Sequence, residues 1–286
     1  MPEPLANPAE LADRLTAAIR PLGSCAVAFS AGVDSSVVAR AARIALGDRA
    51  VAVIGVGAAL PDGELEAARR VAAAIGIELI EEPTEEILDP QYQANAPNRC
   101  YHCKTELYTH VRRVADRRGV EALLNGANAD DRGDHRPGMQ AANEHGVRSP
   151  LLECGLGKQQ VRELARHWRL EVWDKPAAPC LASRIAYGVQ VTPERLVMVD
   201  RAEQRLRELG LRELRVRLHD GPLARIEVPA DAIPLLASAD VREPLLRDLR
   251  ELGFKRVTLD LAGFESGNLN TLVPVESLTA PTAPRA

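Results

Sequence analysis

Aromatic residues are scarce in this 286-residue chain: Phe, Tyr and Trp together make up 3%. Its core must therefore be built from Ala, Val, Leu and Ile. Lysine is scarcer still, with Lys104, Lys158, Lys175 and Lys255 the only four among 36 basic residues. No apolar run approaches the roughly 20 residues of a membrane-spanning helix, and Met1–Arg20 lacks a signal-peptide core. A cytoplasmic location is expected. Net charge is only −4, so the broad basic surface of a nucleic-acid binder is missing. Ordinary apolar and charged fractions exclude collagen-like, fully disordered and disulfide-scaffold chains. Internal repeats are absent as well.

Present instead is an alternation of short apolar runs and amphipathic stretches. Ala26–Phe29, Val51–Val56, Ile77–Ile80, Ala122–Leu124 and Leu170–Trp173 read as buried strands. Val37–Ala45, Leu65–Ile75, Leu107–Arg118 and Gln160–His167 read as helices between them. That order predicts an α/β fold, a doubly wound parallel sheet covered on both faces. After about residue 185 the pattern changes. Thr192 and Pro193 start a charged helix running to Leu209, and Leu214–Leu218 and Ala224–Val228 flank the turn His219–Pro222. Helical segments near Ala232–Ala237 and Pro244–Leu252 precede a strand at Arg256–Leu261. We expect domains at 1–185 and 186–270, the second a smaller α+β unit, and a disordered tail over 271–286.

Ser30-Ala31-Gly32-Val33-Asp34-Ser35-Ser36 follows the first strand and opens the next helix. Small residues let backbone N–H groups converge where the helix dipole is positive, which makes an anion cradle. In this reading Ser30, Gly32, Ser35 and Ser36 hold phosphate and Asp34 holds Mg2+; the bland alternative is an ordinary turn with Ser35 as a helix cap. No G-K-[ST] follows, so the loop is not of Walker type. Ala31 is compatible with such a loop if its φ is negative. In the segment after the fourth run, Asn125–Gly138, Gly126 would let a nucleotide approach, and Asp130, Asp131 or Asp134 could hold metal or orient Arg136.

Cys100 and Cys103 form a C-x-x-C inside N-R-C-Y-H-C-K, and Cys180 stands in P-C-L-A-S-R after a proline-rich run. Lys104 and Lys175 flank them, and nearby positive charge favours thiolate. A thioredoxin-type dithiol is disfavoured because the pair does not follow the domain's first strand. Zinc held by Cys100, Cys103 and Cys180 with His102 or His110, and an iron–sulfur cluster on the three cysteines, both remain open. Cys25 and Cys154 read as buried structural thiols. Arg215 and Arg217 share one face of a strand, as suits a phosphate, although a solvated strand face is as natural. Glu227 could pair with them or bind metal.

The loop S-A-G-V-D-S resembles the S-G-G-x-D-S loop of the PP-loop ATP pyrophosphatases, departing at Ala31. Together with N-R-C-Y-H-C-K, N-G-A-N-A-D-D-R-G-D-H-R-P-G, G-V-R-S-P-L, P-C-L-A-S-R-I and R-V-R-L-H-D, in that order, the chain resembles the LarE family. These are ATP-dependent sulfur transferases that serve the nickel-pincer nucleotide cofactor. The resemblance implies adenylation of a pyridinium biscarboxylic acid mononucleotide and its conversion to the bisthiocarboxylate. ATP and the residues of the phosphate loop, with Gly126 and Lys104, would form the nucleotide site; Arg184, Arg215, Arg217 and Arg136 would hold the substrate. Single-cysteine members sacrifice the sulfur of the residue matching Cys180. Three-cysteine members carry a four-iron cluster, here implied on Cys100, Cys103 and Cys180. The family also implies a homo-oligomer, in similar proteins a hexamer. A tRNA-thiolating relative and a non-catalytic nucleotide sensor with structural zinc are the alternatives. The low net charge disfavours the former, and pyrophosphate release would eliminate the latter.

Overall fold

A computed structural model describes residues 7–131, 137–176 and 179–265. In chain order the elements are α1 (Pro8–Ile19), β1 (Cys25–Ala28), α2 (Val33–Leu46), β2 (Ala50–Val56), α3 (Glu64–Ile75) and β3 (Glu78–Pro83). Then come α4 (Pro90–Gln93), α5 (Arg99–Arg118), β4 (Ala122–Leu124), α6 (Pro137–Glu144), α7 (Pro150–Glu153) and α8 (Lys158–His167). The last are α9 (Pro193–Glu208), β5 (Arg215–His219), β6 (Leu223–Glu227), α10 (Ile233–Ala237), α11 (Ala239–Glu251) and β7 (Arg256–Leu259).

Two compact units divide the described residues. One comprises those of Met1–Gly57, Gly63–Glu85 and Cys100–Ala178; the other takes Ala58–Asp62, Glu86–Arg99 and Pro179–Ala286. The first unit holds a sheet in the order β3-β2-β1-β4, with every pairing parallel. Period-two alternation sends Cys25 and Val27 of β1 to one face, against α1, α2 and α8, and Ala26 to the other, against α5. Both faces are thus dry, as the near-continuous apolar runs require. Small residues dominate α2, where Val37, Val38, Ala39, Ala41 and Ala42 are all 0% exposed. An Ala-rich helix approaches the sheet closely, so few aromatics are needed to fill the core. β3 is the acidic edge: Arg69 and Arg118 grip Glu81 and Glu78 bidentately, and charge on an edge strand discourages stray pairing.

The strand expected at Leu170–Trp173 is instead a 3-10 turn over Glu171–Asp174. Leu170 and Val172 pack into the core, so burial without a vacant sheet edge produced an apolar run that periodicity alone could not assign. The helix expected from Leu107 starts eight residues earlier, at Arg99, and so carries both cysteines of the C-x-x-C in its first turns.

The second unit holds a three-stranded sheet in the order β5-β6-β7. β5 and β6 form the antiparallel hairpin, and β7 joins β6 in parallel. α9 begins at Pro193, with the Thr192 side chain accepting from the Arg195 N–H at 3.3 Å. α11 starts five residues ahead of the expected Pro244 and keeps that proline inside. Residues 266–286, including the tail expected to be disordered, lie outside the described residues, as do Asp134 and Arg136.

Candidate active site

Strand order reverses between β1 and β4, and ligands of open parallel sheets bind at such a switch point, beyond the carboxyl ends of the strands. The loops that leave those two ends meet here. A Cβ added to Gly126 would lie 2.8 Å from the Ser35 backbone nitrogen and 3.1 Å from the Asp34 carbonyl carbon. Gly126 is therefore needed for loop-on-loop packing against the start of α2.

Ser30–Ser36 is held by its own hydroxyls. Ser35 Oγ accepts from the Ser30 N–H and donates to the Gly32 carbonyl, both at 3.2 Å. Ser30 Oγ lies 3.2 Å from Ser35 Oγ and accepts from the Gly32 N–H at 3.4 Å. Ser30 is exposed, whereas Ser36 is fully buried with no partner for its hydroxyl among the described residues. Ser36 is thus enclosed by protein in this conformation. Ala31 has φ 52° and is fully buried, so the negative φ under which alanine would fit easily is not the one adopted. The left-handed conformation costs an L-residue roughly 1–2 kcal/mol, so the loop carries strain that glycine would avoid.

Asp34 is engaged by two side chains that sequence reading did not single out for it. Lys158 Nζ forms an ion pair with Oδ2, and Asn128 Nδ2 donates to Oδ1 at 3.0 Å. Lys158 is placed by a cap: Asp130 Oδ2 accepts from its backbone N–H at 2.7 Å, where α8 begins. Asp131 Oδ2 accepts from the Asn128 N–H at 2.9 Å. Both aspartates shape the β4 loop by accepting these backbone N–H groups. Lys175 Nζ reaches Glu64 at 2.7 Å and the Ala31 carbonyl at 3.4 Å. Two of the chain's four lysines thus attend the Ser30–Ser36 loop. The scarcity of lysine was the available signal.

In the second unit, Arg217 pairs with Glu227 at 3.0 Å and donates to the Ser183 carbonyl, while Arg225 takes the other Glu227 oxygen at 2.9 Å. Arg184, 1% exposed, grips Glu203 through Nε and Nη2 at 2.9 and 3.1 Å. Burial pushes the Arg215 guanidinium down to about 10, with Arg184 as the next cause. Arg215 also stacks on Phe264 at 5.1 Å. Basic groups outnumber carboxylates among the described residues here, and an anion would relieve the excess.

No family model matches the chain. It is 44% identical over 86% of its length, and 92% of the relative's, to an uncharacterised protein of Synechocystis sp.. It is 36% identical, over 90% of this chain and 92% of the other, to pyridinium-3,5-bisthiocarboxylic acid mononucleotide synthase of Lactiplantibacillus plantarum. The chain belongs to the LarE family. More distant similarity, 28% over 65% of each chain, is to a glutamine-hydrolysing GMP synthase polypeptide of Archaeoglobus fulgidus. The fold is that of the PP-loop ATP pyrophosphatases.

All five cysteines of this LarE-family chain are thiols rather than disulfides. Cys100 is exposed and Cys103 half-buried, three apart on α5 and so on one face of it; Cys180 is half-buried on a loop of the second unit. Three thiols are chemically suited to a four-iron cluster. Among the described residues, however, no three His, Cys, Asp or Glu side chains are gathered as a metal requires. Cys25 is buried in β1, where burial raises its thiol to about 12, and Cys154 is raised for the same reason. Both stay protonated at neutral pH, Cys25 shut away from reagents and Cys154 partly exposed. Lys104 lies on α5 beside Gly138, whose added Cβ would meet Lys104 Cγ at 3.1 Å. Among the described residues no helix is long and apolar enough to cross a membrane.

Proposed function

We propose that this chain uses ATP to activate the carboxylates of a pyridinium-3,5-biscarboxylic acid mononucleotide and replaces them with thiocarboxylates. One observation carries the reading: the Ser30–Ser36 loop stands at the switch point of the sheet with Lys158 poised on its only carboxylate. The name of the relative from Lactiplantibacillus plantarum supplies the substrate class.

The backbone N–H groups of the loop and the start of α2 would bind the pyrophosphate portion of ATP. On arrival of the triphosphate, Lys158 would turn from Asp34 to a phosphate oxygen, leaving the Asp34 carboxylate to Mg2+. That ion would neutralise charge on the leaving group. A substrate carboxylate oxygen then attacks the α-phosphorus and pyrophosphate departs. A sulfide sulfur attacks the acyl carbon of the adenylate, AMP leaves, and a thiocarboxylate remains. Arg215 and Arg217 would hold the substrate's phosphate by charge-assisted hydrogen bonds. Cys100, Cys103 and Cys180 would hold a four-iron cluster, whose chemistry is delivery of sulfide.

Incubation with ATP, substrate and sulfide, followed by pyrophosphate assay and mass analysis, tests the reading. Pyrophosphate release dependent on the pyridinium substrate is expected, and Asp34→Asn should abolish it. Release of inorganic phosphate in its place would sink the adenylation step. Anaerobic purification should yield iron and acid-labile sulfide, and Cys100→Ala should lose both.

A further inference from the structure

The segment that ends just before Cys100 and the segment that carries Cys180 both belong to the second unit, and buried side chains tie them together. Asn95 is 0% exposed and has φ 53°, a conformation asparagine tolerates better than most residues. Its Nδ2 faces the carbonyls of Ile185, Ala186 and Val189 at 3.2, 2.8 and 2.9 Å. Its backbone carbonyl accepts from the Gly188 N–H at 3.2 Å, and that of Gln93 accepts from the Val191 N–H at 2.9 Å. Asn95 Oδ1 accepts from Arg99 Nη1, which also donates to the Ala182 carbonyl at 2.8 Å. From the other side, Arg184 Nη1 donates to the carbonyls of Pro179 and Cys180, the latter at 3.1 Å.

The loop after Cys180 has one short helical turn, Leu181–Arg184, and little other regular structure before α9. Its carbonyls point inward, and buried carbonyls need donors. Asn95, Arg99 and Arg184 supply them from three separate positions. Such a cage is more than one capped turn needs, and it spans the loop from Pro179 to Val189 that carries Cys180 near its start.

We infer that Asn95 and Arg99 are positioning residues that clamp the Cys180 loop and so fix where its sulfur sits. The arginine of N-R-C would then serve Cys180 as well as precede Cys100. This deepens the proposed function, since it rests on Cys180 handling sulfur.

The test compares alkylation of Cys180 by iodoacetamide in the folded full chain with that of Cys154, which lies in the other unit, by peptide mass spectrometry. Losing a charged hydrogen bond loosens the loop, so Arg99→Ala should raise the Cys180 to Cys154 ratio roughly tenfold. Arg99→Lys, which keeps charge and a donor, should restore much of the wild-type ratio. With ATP and substrate, kcat should fall in Arg99→Ala while KM for ATP stays put. Should Arg99→Ala fail to fold, Asn95→Gly carries the test, because glycine adopts φ 53° without strain and only the clamp is removed. An unchanged ratio in Asn95→Gly that still melts cooperatively overturns the clamp. Failure of the wider reading looks different: Cys180→Ala would then form thiocarboxylate as wild type does.

Discussion

Ala31 sits in a backbone conformation that its Cβ resists, at the point where a phosphate is expected. Ala31→Gly removes that strain but adds unfolded-state entropy of roughly 0.4–1 kcal/mol. The balance predicts equal or slightly higher stability, read as an equal or raised Tm, with ATP binding no weaker by calorimetry. Ala31→Val should behave oppositely, because a β-branched residue at positive φ is a true outlier. Lys158→Met leaves Asp34 without its ammonium and the loop without a mobile cation. ATP or pyrophosphate affinity should fall by roughly tenfold or more, as expected for loss of a charge-assisted contact; unchanged affinity would remove Lys158 from the nucleotide site. Arg184→Ala takes the bidentate partner from the buried Glu203, which keeps Arg207 at 2.8 Å and the Val216 N–H at 3.2 Å; a loss of about 1.5–3 kcal/mol is expected for charged hydrogen bonds, and chemical denaturation would report it.

At the scale of elements, the contact between the β4 loop and the start of α2 decides most. Gly126→Ala places a methyl group 2.8 Å from a backbone nitrogen that cannot swing aside. A cost of roughly 1–3 kcal/mol follows from such overpacking, together with weaker nucleotide binding, since the displaced backbone is the cradle itself. A variant that melts and binds like wild type would show that the loops are not locked together. The strands around this contact could be read from residue order, because continuous apolar runs between amphipathic helices admit few sheets. The cap that places Lys158 could not be read. Asp130 and Lys158 are 28 residues apart, and only folding shows which of several aspartates in one loop meets the first N–H of α8. The same holds for Leu170–Val172: burial was legible, but the competing turn was not.

For the whole molecule, pH acts through half-buried imidazoles. Burial holds His219 and His145 below their ordinary value. As pH falls below about 6.5, the unfolded chain takes up protons that the folded one refuses. Stability should therefore decline on the acid side, and His219→Gln should flatten that slope in denaturation series between pH 7 and 5. The composition made the broad architecture legible, including the small-residue core and the change of pattern near residue 185. It could not show that Ala58–Asp62 and Glu86–Arg99 leave the first unit for the second, because membership in a unit depends on long-range contacts without local periodicity. The turn that carries Ser30 and Asp34 at the end of β1 was legible from its small residues. The burial of Ser36 was not, because it depends on neighbours distant in sequence.

Cys25 lies at the centre of the first sheet, shielded from solvent and protonated. A colorimetric titration with Ellman's reagent should accordingly register at most four of the five sulfhydryls while the chain is intact. The fifth becomes countable only when β1 comes apart, so its appearance is a built-in clock for opening of the central sheet.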